Sequence, residues 1–81
     1  MHEWSITVEA RSNASDEDVA DNLVETLAAY GPAVGYGPGR LHVTMTVLAS
    51  TPQDAVRIAA QAFGRAVETA LVTRVEAELA A

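Results

Sequence analysis

The chain contains no cysteine and no lysine, and its aromatic side chains are one tryptophan, two tyrosines and one phenylalanine. Without cysteine there is no disulfide framework, no thiolate metal site and no thiol nucleophile. Without lysine the cations are five arginines, Arg11, Arg40, Arg57, Arg65 and Arg74, against eleven acids, a formal charge of −6. Phosphate recognition needs clustered cations, and these arginines are scattered in sequence, so no nucleic-acid partner is expected. The same charge disfavours an anionic membrane surface. No apolar run approaches bilayer length. Met1-His2-Glu3-Trp4 has neither a basic region nor an apolar signal core, so a cytoplasmic, non-membrane location is expected.

What is present is apolar content of 49%, which argues against disorder. The 81 residues are expected to form one domain spanning 1–81. A domain this small buries a modest share of its surface. With no disulfide or metal to reinforce it, good local structure or self-association must do so.

Two strand–helix–strand phrases follow one another. Trp4, Ile6, Val8 and Ala10 alternate with Ser5, Thr7 and Glu9, the pattern of a strand with one covered and one polar face. Ser15 is placed to cap a helix running to about Tyr30, with Asp16, Glu17 and Asp18 at its positive end. Val19, Ala20, Leu23, Val24, Leu27 and Ala28 form its expected apolar side, with Asp21, Asn22 and Glu25 in water. Gly31-Pro32 should end it.

Ala33-Val34-Gly35-Tyr36 reads as a short strand and Gly37-Pro38-Gly39 as a turn. Leu41, Val43, Met45, Val47 and Ala49 then alternate with His42, Thr44, Thr46, Leu48 and Ser50. Thr51-Pro52-Gln53-Asp54 opens a second helix by a threonine cap, proline in the first turn and an acid behind it. Val56, Ala59, Ala60, Phe63 and Val67 are its expected buried stripe, and Gly64 suggests close approach to a neighbour. Residues 72–79 alternate as a strand with Thr73, Val75, Ala77 and Leu79 inward. Val67, Leu71, Val75 and Leu79 also fit a helical stripe. The β-branched cluster Val72-Thr73-Val75 favours the strand.

This order predicts an α+β, ferredoxin-like βαββαβ sandwich: a four-stranded antiparallel sheet, its first and third strands central, with two helices on one face.

No motif carries chemistry. The glycines from Gly35 to Gly39 precede a strand, and Pro38 removes a donor, so they read as a hairpin rather than a phosphate cradle. His42 could share a face with Glu9 and Glu76, but a metal site needs three or four convergent ligands, and His2 is terminal. Asp16-Glu17-Asp18 lacks calcium-loop spacing. No serine sits in a nucleophile elbow, and Arg11 with Asn13 has no glycine-rich anion loop around it. Catalytic, cofactor and metal residues are therefore unassigned, no cofactor is expected, and the chain is expected not to be an enzyme. The polar sheet face lacks the stacking aromatics of RNA-binding sheets.

The expected role is a non-enzymatic protein–protein interaction and oligomerisation module. It should form a homodimer through the sheet face around Thr7, Thr44, Thr46 and Leu48 or through the edge strand with Val34 and Tyr36, with another protein as a possible partner. The alternative is a small-molecule-sensing domain whose ligand binds at a subunit interface or loop end.

Overall fold

The computed structural model describes residues 1–11, 16–67 and 70–80. Ser15 and Asn13 lie outside them, and so do the side chains of Asp16, Glu17, Asp18 and Tyr36.

Two long alternating strands organise the molecule. β1 (His2–Arg11) and β3 (Arg40–Ala49) pair antiparallel over their whole length, from His2 opposite Ala49 to Arg11 opposite Arg40. β2 (Ala33–Gly37) flanks β3, and β4 (Leu71–Leu79) flanks β1, giving an antiparallel sheet of order β2-β3-β1-β4. The alternating strands are central, as their pattern predicts. α1 (Asp16–Thr26) joins β1 to β2, and α2 (Pro52–Ala66) joins β3 to β4.

Ile6 and Val8 of β1 and Val43, Met45 and Val47 of β3 are buried in one cluster with Leu23 of α1, Leu27 just beyond it, and Ala59 and Phe63 of α2. Both helices thus cover the same face of the sheet. Among the described residues, no buried side-chain polar atom lacks a partner, and no helix is long and apolar enough to cross a membrane.

The local signals act through specific bonds. Thr51 is extended and its hydroxyl accepts from the Asp54 N–H at 3.2 Å, which satisfies a free donor of the first turn of α2. After α1 the chain tightens into a 3-10 turn (Ala28–Tyr30), which Gly31 stops in the left-handed region at φ 58°. Between Gly37 and Arg40, Pro38-Gly39 closes the β2–β3 hairpin, with Gly39 at φ 69°. A proline followed by a positive-φ glycine is the signature of a type II turn.

Several expectations are corrected. Val24 is half exposed and Ala28 is exposed. α1 lies against β2 and α2, at the flank of the sheet, so a narrow stripe of Ala20, Leu23 and Leu27 suffices. Asn22 is exposed as expected, and its Nδ2 also donates to the Ala66 carbonyl at 2.5 Å and ties α1 to the last turn of α2. In α2 the fully buried line is Ala55, Ala59, Phe63 and Ala66, with Val56 and Ala60 only half-buried. Small residues face the sheet and let the helix approach it closely. Gly64 has a different setting from the one expected, since a Cβ there would meet nothing within 4 Å.

Residues 71–79 are a strand, not a continuation of α2. Its register slips: Glu9 faces Arg74, but Ala10 faces Val72, which leaves Thr73 as a bulge. Thr73 is therefore exposed, and its hydroxyl donates to the Glu9 carbonyl at 3.2 Å. The slip also pairs Val72 with Ala10, a residue of the helix-covered face, and so reverses its expected side. Val75 and Ala77 are half-buried, and Leu79, expected inward, is exposed at the strand end. Trp4 packs against the core and its indole N–H donates to the Ala49 carbonyl at 3.0 Å, pinning the other end of the β1–β3 pair.

Two substitutions in α2 should act in opposite directions. Phe63→Ala empties a fully buried site and should cost about 3–5 kcal/mol. Gly64→Ala removes only a helix penalty and should add about 0.5–1 kcal/mol, raising Tm by several degrees. Thermal unfolding followed by circular dichroism measures both; a destabilised Gly64→Ala protein would contradict the open setting of that position.

Candidate functional site, the open face of the sheet

The strand alternation that builds the core also builds a second surface. Cross-strand pairing arranges it in rows running from β3 through β1 to β4. Arg40, Arg11 and Leu71 form the first row, and His42, Glu9 and Arg74 the second. Thr44, Thr7 and Glu76 follow, then Thr46, Ser5 and Glu78, and finally Leu48 with Glu3. β2 adds Gly35 beside His42 and Ala33 beside Thr44.

The middle is small and polar. Thr7 and Thr44 are half-buried, with hydroxyls 3.4 Å apart. The large apolar groups lie at opposite ends, Leu48 being 58% and Leu71 68% exposed. A polar face bearing exposed leucines differs from a uniformly hydrated one.

Charge is segregated along the strands. One end carries Arg11, Arg40 and Arg74 with His42, interrupted by Glu9. The other carries Glu78 and Glu3, with Glu76 in the central row between the two ends. Arg74 reaches along β4 to the Glu76 carboxylate. Arg11 and Arg40 lie directly opposite one another, an arrangement that destabilises an isolated strand pair. Beside them is a cleft of about 300 Å³ lined by Glu9, Arg11, Arg40, His42 and Thr73 among others.

His42 has a tight neighbour. A Cβ on Gly35 would collide with its imidazole ring. Gly35 is thus a glycine for lack of space in the middle of β2 rather than for a turn. His42 faces Glu9, but Glu76 lies one row further and is engaged by Arg74. Among the described residues no group of three or more histidines or acids is placed to hold a metal ion.

Of the residues singled out from the sequence, Thr7, Thr44, Thr46 and Leu48 come together on this face. Val34 does not join them: it pairs with Val43 and packs half-buried against the core. Tyr36 pairs with Leu41 in the same edge strand. Sequence reasoning missed the arginine end. Arg11, Arg40 and Arg74 are far apart in the chain, and only the long-range register of β1 with β3 and β4 assembles them.

Gly35→Ala should destabilise the protein by about 1 kcal/mol, the low end of overpacking costs, because the imidazole can swing towards solvent. Combining it with His42→Ala should remove most of that penalty, as a double-mutant cycle of denaturation midpoints would record. A penalty that persists without the ring would place its origin elsewhere.

No protein-family model matches the chain, and no curated protein is similar enough to it to carry an inference.

Proposed function

We propose that the chain is a ferredoxin-like βαββαβ sandwich that serves as a non-enzymatic protein–protein interaction module, associating with itself through the open face of its sheet. The observation that carries this reading is that face itself: among the described residues no element covers it, and it ends in exposed Leu48 and Leu71. Packing two such faces buries apolar area that a small domain needs. The competing edge, β2, offers five residues bounded by Pro32 and Pro38, a shorter surface on which prolines withhold donors.

Light scattering at micromolar concentration should give the mass of a dimer. Thr44→Lys combined with Thr46→Lys adds charge at the centre of the face and should give a monomer with unchanged circular dichroism. A monomeric wild-type protein would remove self-association from the account. A dimer that tolerates both lysines would move the interface off this face.

One observation favours a second reading, a domain that senses a small anion. The opposed Arg11 and Arg40 flank the cleft of about 300 Å³, and a carboxylate or phosphate between them would offset their repulsion. Titrating inorganic phosphate at constant ionic strength should then shift the NMR signals of residues 9–11 and 40–42 saturably. Shifts that are equally small across the whole chain would dismiss this reading.

A further inference from the structure

We infer that the second copy lies head to tail on the open face, so that the arginine end of each copy covers the glutamate end of the other. This rests on the self-association reading and adds the arrangement of the two copies. The residues are disposed symmetrically about the central row Thr44–Thr7–Glu76. On β1, Glu3 and Arg11 each lie four positions from Thr7. On β4, Arg74 and Glu78 each lie two positions from Glu76.

A twofold axis running across the strands through that row reverses the strand direction of the second copy. It carries Arg11 onto Glu3 and Arg74 onto Glu78, each pair twice, as an isologous interface requires. Arg40 falls on Leu48, where its aliphatic stem covers the exposed leucine. His42 falls on Thr46. Glu76 lies in the axis row and falls on Glu76 of the second copy, a like-charge contact that Arg74 of its own strand offsets.

The other way of stacking aligned sheets has its axis along the strands and sets the three arginines of one copy over those of the other. Like-charge juxtaposition of three arginines on three costs more than the single glutamate pair on the first axis. Aligned packing keeps the strands of two sheets within about 30° and about 10 Å apart, a gap that arginine and glutamate side chains can span. The threonines and serine in the middle leave room for that approach. The arrangement also relieves an unfavourable feature of the isolated face. Arg11 and Arg40 oppose each other within one copy, and Glu3 of the second copy neutralises the first of them.

The test exchanges charge between the two ends of β1. Arg11→Glu alone and Glu3→Arg alone each place like charges at both contacts, and each should weaken the dimer at least tenfold in sedimentation velocity. Mixing the two variants in equal amounts should restore association, because in the mixed dimer both contacts again join opposite charges. Circular dichroism of each variant checks that the fold is retained. Two single variants as tightly dimeric as wild type would overturn the arrangement while leaving self-association standing. Two monomeric variants whose mixture stays monomeric would overturn it as well. A monomeric wild-type protein would instead overturn the reading on which it rests.

Discussion

The pairing of β1 with β3 is the constraint on which the rest depends. Ten residues of each strand match in one unbroken register, and from Trp4–Val47 to Ala10–Leu41 every second pair is apolar. A shift of β1 by one residue would turn Ile6 and Val8 out of the core and bring Thr7 and Glu9 into it, while Val43 and Met45 of β3 stayed in place. The register therefore determines two surfaces at once. One is the floor on which α1 and α2 sit. The other is a polar face whose charges are sorted by position along the strands.

The helices meet that floor in different ways. α2 lies against β1 and β3 with Ala55, Ala59 and Ala66 around a single large side chain, Phe63. α1 covers the flank with Leu23, and with Leu27 just past its end, and is tied to the end of α2 through Asn22. With one phenylalanine and much alanine, this core has little reserve. That is the physical motive for burying further surface on the other side of the sheet.

Much of the fold was legible in the sequence because its signals are local. The alternation in residues 4–10 and 41–49, the Thr51-Pro52 helix start and the Gly31-Pro32 stop each depend on neighbours a few positions away. The β-branched residues near Val72 likewise decided in favour of a strand. What was not legible depends on partners distant in sequence. Val24 is half exposed because of where α1 lies, not because of its own pattern. Ala55 and Ala66 are buried because α2 presses small residues on the sheet, whereas the expected stripe ran through Val56 and Ala60. The bulge at Thr73 comes from pairing with Glu9 and Ala10 and could not be seen within residues 72–79 alone. Of the candidate site, the threonines and Leu48 were legible through alternation. The arginine row was not, since it exists only once three strands are in register.

The account treats the open face as the working surface of the molecule, and dilution probes that most directly. Backbone and methyl NMR signals would be recorded from millimolar to low micromolar protein. The account predicts concentration-dependent shifts at Thr7, Thr44, Thr46 and Leu48, with little change at the helix-covered Val8 and Val43. Shifts confined to Ala33–Gly37, or none across that range, would contradict it.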